Sequence, residues 1–201
     1  MTAEPVARRY FDPRFGASII TVPPGGHAIT SSQDEILATV LGSCVSVCIR
    51  DPFLGLGGLN HFLLPFNTEN SAADPHHAAE RYGDTAMEVL LNGVFKKGAR
   101  RGHLEAKIFG GARVLPGKSA LMIGDGNIEF VLAFMAREGI PILSKDVGGT
   151  ASRRIHYQPA SGRAWVQHLE TSSSRESSRE EMAYLDQLKT KPVAGDMEIF
   201  S

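Results

Sequence analysis

The sequence has few cysteines, no excess of either charge and no long apolar run. Its 201 residues include two cysteines and carry a formal net charge of -1. That balance gives no global basic field of the kind that holds nucleic acid or an anionic membrane. No apolar run approaches the roughly 18 residues of a membrane span, so we expect no membrane insertion. The segment Met1–Pro5 lacks the charged-then-apolar build of a signal peptide, and we therefore expect a cytoplasmic protein.

The two cysteines, Cys44 and Cys48, are four residues apart in a stretch that reads as one strand. Positions four apart along a strand are separated by about 13 Å, which is too far for a disulfide. We therefore expect both thiols to be reduced, as is usual in the cytoplasm. The spacing also argues against a thiol redox protein.

Hydrophobic residues at 42% and charged residues at 21% are typical of an ordinary globular protein. The length suits one core, and we predict one domain over residues 1–170 that begins with an arm, residues 1–17, without regular periodicity. The run 171–181 has too little apolar content to pack. We therefore predict that residues 171–201 are a flexible polar linker and tail.

Hydrophobic periodicity predicts mixed strands with two helices, which is an α+β order. The predicted strands are Ser18–Val22, His27–Thr30, Ile36–Leu41, Val45–Ile49, Leu56–Leu64, Glu105–Phe109, Pro141–Val147, Ile155–Gln158 and Ala164–Leu169. Apolar spacings of three and four predict helices over Ala79–Lys97 and Asn127–Glu138. The polar stretch 66–75 is predicted to be an exposed loop.

One predicted hairpin brings a cysteine and a histidine together. A four-residue loop over Asp51–Leu54 would place Arg50 opposite Gly55 and, by the same register, Cys44 opposite His61. Facing residues have Cβ atoms about 4.5 to 5.5 Å apart on one face of the sheet. A thiol and an imidazole at that separation can exchange a proton. A slip of one residue would place the two side chains on opposite faces.

A free cysteine is more often a small core residue than a nucleophile, and Cys48 fits that ordinary interpretation. Cys44 differs because Gly42 and Ser43 break the strand just before it. Such a bend can expose the backbone N–H groups of Ser43 and Cys44 beside the sulfur, as an oxyanion hole requires. The residues alone leave a Cys-His hydrolase or transferase and a plain core cysteine both open.

The other candidate groups are weaker. Thr39 is the nearest polar residue in the preceding strand that could orient the imidazole of His61. Asp74, His76 and His77 lie in a polar stretch without a second cluster at ligand spacing, so we expect no metal site. The glycine-rich turns lack the fingerprint of a nucleotide site, and we expect no cofactor.

Taken together, the chain resembles the CheD family, the chemoreceptor glutamine deamidases of bacterial chemotaxis. The segments that carry the resemblance are Leu41–Cys48, Asp51–Pro52, Asn60–Pro65, Arg81–Asp84, Lys107–Ala112, Asn127–Val131, Glu138–Ile142, Asp146–Thr150 and Gly162–Ala164. They occur in order over most of the chain.

The resemblance implies two layered β-sheets with helices on an outer face, and protein-glutamine glutaminase activity. It implies that Cys44 is the nucleophile and His61 the general base. The family's third catalytic residue is a threonine six positions before the cysteine, where this chain has Ala38. Either Thr39 takes over that role, or another group, such as a backbone carbonyl, holds His61.

The resemblance also implies partners. The expected substrate is a glutamine on the cytoplasmic helices of a chemoreceptor, and the same geometry could hydrolyse a glutamate methyl ester. CheD-like proteins also pair with CheC-type phosphatases. The alternative function is therefore a non-catalytic adaptor that binds chemoreceptors or such a phosphatase.

Overall fold

The computed structural model of the chain describes residues 8–64, 75–114, 118–169, 179 and 181–188, with the side chains of 75–81 and 118–122 left out of the description. The strands are β1 (Arg8–Asp12), β2 (Ala17–Thr21), β3 (His27–Thr30), β4 (Glu35–Leu41), β5 (Val45–Asp51), β6 (Leu56–Asn60), β7 (Glu105–Gly110), β8 (Ile142–Val147), β9 (Arg153–Gln158) and β10 (Arg163–His168). The helices are α1 (Pro75–Lys96) and α2 (Lys118–Glu138), with a 3₁₀ turn at Arg101–His103. Residues 181–188 are also helical, and we call them the tail helix.

The strands form two five-stranded sheets. The first has the order β1-β2-β4-β9-β10 and the second the order β3-β6-β5-β7-β8. An apolar core with members from both sheets lies between them, because alternate side chains of each strand point to the same face. That core contains Leu37, Leu41, Cys44, Cys48, Leu59, Leu63, Phe109, Ile155 and Tyr157. The predicted pair of layered sheets is confirmed.

The two helices cover the other face of the second sheet. Their apolar stripes and the second sheet share a larger core that includes Val45, Val47, Ile49, Met87, Leu90, Val94, Ile108, Val131, Phe134 and Met135. The chain therefore has three layers, sheet, sheet and helices, as an α+β fold with helices on one outer face predicts. In the described part of the chain, no helix has the length and hydrophobicity of a transmembrane span.

Several element boundaries differ from the predicted ones. Residues 8–12, expected to belong to an irregular arm, form β1, which pairs antiparallel with β2 at the edge of the first sheet. Apolar and polar residues do not alternate in this segment, and it is ordered by backbone hydrogen bonds to β2.

Helix α1 begins at Pro75 and α2 at Lys118, both earlier than predicted. Proline suits a first helical turn, where its missing N–H costs nothing. Residues 66–74 of the predicted polar loop lie outside the described residues.

The predicted hairpin register is wrong by two residues. Asp51 faces Leu56 and Cys48 faces Leu59, so the loop is Pro52–Gly55. Gly55 has a φ of 59°, a left-handed conformation that belongs to a turn. A shift of two residues keeps every side chain on its predicted face, because the side-chain period of a strand is two.

A bend between β4 and β5, Gly42–Cys44, is fixed by the loop that follows β7. The N–H of Gly111 donates to the Cys44 carbonyl at 2.7 Å, and the N–H of Ala112 donates to the Gly42 carbonyl at 2.7 Å. Gly110 has a φ of 108°, and a Cβ there would lie 2.1 Å from the Cys44 carbonyl oxygen. Glycine at this position therefore permits the close approach that holds the bend.

Gly110→Ala is expected to destabilise the fold by about 2 kcal/mol or more, because it combines a strained φ with a backbone clash. Gly102→Ala is the matched control, since a Cβ there meets nothing within 4 Å. Urea denaturation of both variants measures the difference. Equal stabilities of the two variants would contradict the role given to Gly110.

Candidate active site

Cys44 and His61 flank the central hairpin at the same end. Cys44 immediately precedes β5 and His61 immediately follows β6. Val45 pairs with Phe62 through two backbone hydrogen bonds of 3.0 Å, which extends the hairpin register past β6. In that register Cys44 and His61 are diagonal neighbours on one face and do not sit directly opposite each other. The Cys44 sulfur and an imidazole nitrogen of His61 nevertheless lie within 4.8 Å of each other.

A hydrogen-bond chain orients the imidazole. The Thr39 hydroxyl donates to the Val22 carbonyl at 2.8 Å, so its oxygen is left to accept. His61 Nδ1 lies 2.7 Å from that oxygen and is therefore assigned as the N–H donor. Nε2 is then the unprotonated nitrogen, and among the described residues it has no hydrogen-bond partner. A lone pair is thus free on the ring, as a general base requires.

Thr39, and not Ala38, faces the site. Ala38 belongs to a small apolar cluster with Ala17, Ile19 and Ile36, on the side of the first sheet away from the second. Neighbouring residues of a strand point to opposite faces, so Thr39 points between the sheets toward His61. Of the two arrangements that the sequence left open, the structure has Thr39 in contact with the imidazole.

The N–H groups of the bend converge on one carboxylate, that of Glu181. Its Oε1 accepts from the N–H of Gly42 at 2.7 Å and from that of Cys44 at 3.2 Å. Its Oε2 accepts from the Ser43 N–H at 2.9 Å and from the Ser43 hydroxyl at 2.7 Å. The bend therefore aims three backbone donors at one carboxylate, with those of Gly42 and Cys44 on one oxygen and that of Ser43 on the other. The sequence did not single out the N–H of Gly42 as a donor.

Asn127 on α2 holds the bend from behind. Its Nδ2 donates to the Ser43 carbonyl at 2.9 Å, and its Oδ1 accepts from the Leu64 N–H at 2.8 Å. The side chain is fully buried. It thus ties the strand end before Cys44 to the segment that carries His61. The sequence marked Asn127 as the start of a helical pattern and of one segment of the family resemblance, and neither gives a sign of this contact.

Both reactive side chains are enclosed. Cys44 is 0% and His61 2% exposed. Burial, and then the negative charge of Glu181, raises the pKa of the Cys44 thiol. Burial lowers the pKa of His61, against the opposing charge of Glu181. In this state the thiol and the imidazole are therefore both neutral at pH 7, and the site is closed to an incoming amide.

The residue that closes the site comes from a segment whose structure the sequence analysis missed. Glu181 was predicted to end a flexible linker, but it is 2% exposed and lies in the tail helix. The signal was present, since Tyr184, Leu185 and Leu188 follow Glu181 at helical spacings of three, four and seven. The strongly polar run before Glu181 masked it. Residues 171–178 of the predicted linker lie outside the described residues.

Cys44, His61 and Glu181 are also residue types that bind transition metals, and their ligand atoms lie within 4.8 Å of one another. The carboxylate oxygens, however, each accept two hydrogen bonds already. The arrangement fits a carboxylate held by backbone donors better than a metal ligand. The side chains of Asp74, His76 and His77 lie outside the described residues.

Cys48 lies in the core between the sheets and is fully buried. Burial raises the pKa of its thiol. Both Cys44 and Cys48 are free thiols. Cys48 therefore has the environment of an ordinary core residue, whereas Cys44 lies beside an imidazole and a ring of donors.

The chain is similar to proteins of one family over most of its length. Residues 63–168 match the family model CheD, described as chemotactic sensory transduction. A protein of Saccharophagus degradans named "probable chemoreceptor glutamine deamidase CheD" is 44% identical over 198 residues, which cover 96% of this chain and 89% of that protein. Proteins with the same name from Rhodopseudomonas palustris and Methylobacillus flagellatus are 43% and 42% identical, over 96% and 95% of this chain and 89% and 94% of theirs.

His61 should make the free energy of unfolding depend on pH. Its pKa is lowered in the folded state from an ordinary 6.5, so between pH 6.5 and that lower value the unfolded chain binds more protons. Stability should therefore fall as the pH drops below about 6.5, by up to about 1.4 kcal/mol per pH unit for one group. Urea denaturation of the wild type and of His61→Gln at pH 7 and pH 5 measures this. Parallel losses in the two proteins would refute the assignment.

Proposed function

The chain belongs to the CheD family, and we propose that it is a protein-glutamine deamidase that converts glutamine side chains of chemoreceptors to glutamate. The observation that supports this most directly is that the Cys44 sulfur, an imidazole nitrogen of His61 and the N–H groups of Gly42, Ser43 and Cys44 all surround one carboxylate. These are the nucleophile, base and oxyanion donors that acyl transfer needs. The names of the relatives supply the substrate class.

In the first half of the proposed reaction, Nε2 of His61 takes the proton of the Cys44 thiol. The thiolate attacks the carboxamide carbon of the substrate glutamine, and the carbonyl oxygen becomes an oxyanion. The N–H groups of Gly42, Ser43 and Cys44 donate to that oxyanion. The tetrahedral intermediate then collapses, the C–N bond breaks, and protonated His61 gives its proton to the departing ammonia.

In the second half, His61 deprotonates a water molecule, which attacks the thioester carbonyl. The C–S bond breaks, Cys44 recovers its proton from His61, and the substrate side chain leaves as glutamate. Thr39 accepts from Nδ1–H throughout. It thereby keeps Nε2 as the basic nitrogen and stabilises the imidazolium that forms.

The same site would hydrolyse a glutamate methyl ester, because the leaving group is then methanol instead of ammonia. We propose deamidation as the main activity and ester hydrolysis as a secondary one. We further propose that the protein acts in the cytoplasm on the cytoplasmic helices of chemoreceptors, that residues 1–170 form the deamidase domain, and that a CheC-type phosphatase is a second partner.

One observation favours a second candidate function. Because Cys44 and His61 are enclosed, the chain could serve as a non-catalytic adaptor that binds a chemoreceptor or a CheC-type phosphatase. An adaptor would bind the receptor without changing its mass. Catalysis and binding are thus separable in one assay.

Incubation with a chemoreceptor cytoplasmic fragment should release ammonia and add about 1 Da to the fragment per modified glutamine. The proposed acyl transfer requires both Cys44 and His61. Cys44→Ala should abolish the mass change, and His61→Ala should reduce the rate nearly as much, because neither group works without the other. Intact-protein mass spectrometry measures the change. A His61→Ala rate within tenfold of wild type would remove His61 from the mechanism.

Thr39→Val should lower kcat about 10- to 100-fold with little change in KM, because it loses the acceptor for Nδ1–H while keeping the side-chain shape. Thr39→Ser is the matched variant that keeps the hydroxyl, and it should restore most of the rate. If valine and serine variants turned over equally fast, Thr39 would have no part in orienting the imidazole.

A further inference from the structure

Glu181 is a buried carboxylate without a cation. No lysine or arginine within the described part of the chain forms an ion pair with it, and its four hydrogen bonds all come from Gly42, Ser43 and Cys44. A buried charge is normally paired, because removing it from water is costly. Here neutral dipoles alone hold it. Such a ring of N–H donors is what stabilises negative charge on a reacting carbonyl.

The occupant has the chemical form of the product of the proposed reaction. Deamidation of a glutamine side chain leaves a glutamate side chain, with the same number of carbons and a carboxylate in place of the carboxamide. One carboxylate oxygen of Glu181 lies within 4.8 Å of the Cys44 sulfur and of an imidazole nitrogen of His61. The carboxylate therefore stands where a cleaved side chain would stand.

The tail helix is held by its next turn as well. Leu185, four residues after Glu181, is buried and belongs to the same core between the sheets as Leu63 and Cys44. Tyr184, three residues after Glu181, contacts the hydroxyl of Tyr82 on α1 and lies against Gly25 in the turn before β3. Residues three and four apart share one face of a helix. One helical face thus inserts a carboxylate, an aromatic ring and a leucine side by side.

We propose that the tail helix is an intramolecular product mimic that occupies the substrate groove. This groove is formed by the bend Gly42–Cys44, Gly25 and Tyr82. By the same geometry, the groove accepts a helical segment whose glutamine enters the ring of N–H donors while apolar residues three and four positions later take the places of Tyr184 and Leu185. This inference rests on the proposed deamidase function and adds to it the shape of the substrate and a self-inhibited state.

The closed state is inactive for a physical reason. With Glu181 in place the sulfur cannot reach a carboxamide, and the carboxylate also favours the neutral thiol by repelling a thiolate. Turnover requires the tail helix to leave and a substrate helix to enter. The two helices therefore compete for one groove, and the apparent affinity for substrate falls with the fraction of chains in the open state.

Glu181→Gln tests the pose directly, because it places a carboxamide where the carboxylate stands. The Cys44 thiolate should attack its Cδ, release ammonia and form an internal thioester, which water then opens to glutamate. The variant should gain about 1 Da and recover the wild-type sequence at position 181, by the acyl-transfer steps above. Peptide mass spectrometry locates the change. The same substitution in a Cys44→Ala background should keep its glutamine.

Glu129→Gln is the matched control, since Glu129 is exposed on α2 whereas Glu181 is buried against the bend. Its glutamine should persist. If Glu181→Gln also keeps its glutamine while the same preparation deamidates a chemoreceptor fragment, the product-mimic proposal is overturned and the deamidase function stands. If neither the tail nor the fragment is modified in any variant, both proposals fail.

Removing the mimic should speed turnover of an external substrate. Glu181→Ala and Leu185→Asp should each deamidate the chemoreceptor fragment at least about tenfold faster than wild type at subsaturating substrate, as expected if fewer than about one chain in ten is open. Met182→Ala is the control on the same helix, since Met182 is 48% exposed and should leave the rate unchanged. Rates of Glu181→Ala and Leu185→Asp equal to wild type would show that the tail helix does not compete with substrate.

Discussion

The structure depends on one bend, Gly42–Cys44, whose consecutive N–H groups point at a single place. The bend is an interruption between two strands, and its carbonyls are satisfied elsewhere: those of Gly42 and Cys44 by the loop after β7, and that of Ser43 by Asn127. Because the carbonyls are fixed, the N–H groups cannot turn away. They form a preorganised site for negative charge, and stabilisation of the developing oxyanion is usually the largest contribution to the catalysis of acyl transfer.

The two sheets together position the proposed catalytic pair, Cys44 and His61. The second sheet carries Cys44 and His61 at the end of one hairpin, while the first sheet supplies Thr39, which meets the imidazole across the core. Neither sheet alone contains the site. The layered fold thus explains why a thiol, a base and a hydroxyl from three separate segments can meet in an enclosed space with little freedom to reorient.

Enclosure has two effects that oppose each other. It strengthens hydrogen bonds to a developing oxyanion, since the local dielectric is low. It also favours neutral Cys44 and neutral His61, because desolvation penalises both charged forms. In the proposed mechanism such a site stays neutral and unreactive until a carboxamide binds and the proton moves from the Cys44 sulfur to the His61 nitrogen. The carboxylate of Glu181 further favours the neutral thiol, and it also accepts the hydrogen bonds of the bend.

The sequence predicted the parts of the site that depend on local pattern. Strand alternation and the predicted hairpin placed the thiol and His61 on one face. The hairpin register was wrong by two residues, but an even error preserves the face, and this is why the pair survived it. Thr39 was chosen only for its position in the preceding strand, and its contact with His61 depends on how the two sheets stack. That packing is a tertiary property that no local pattern records.

The apolar stripe of the tail helix is present in the sequence, but the contact between the Glu181 carboxylate and the bend could not be predicted, for a related reason. A carboxylate after a polar run has every local sign of exposure, and its burial depends on donors 137 to 139 residues away in the chain. Asn127 is similar, since its partner Ser43 is 84 residues away. Long-range polar contacts of this kind depend on the assembled fold, whereas apolar periodicity can be detected within a single segment of the sequence.

The rate of Cys44 alkylation by iodoacetamide measures directly whether the Glu181 carboxylate, held on the N–H groups of the bend, closes the site over the thiol. Cys44 should react slowly in the wild type and at least about tenfold faster in Glu181→Ala, following the increase in the open fraction. Cys48, buried between the sheets, should stay unmodified in both proteins and serves as the internal control. A wild-type Cys44 that is alkylated as fast as that of Glu181→Ala would contradict the account.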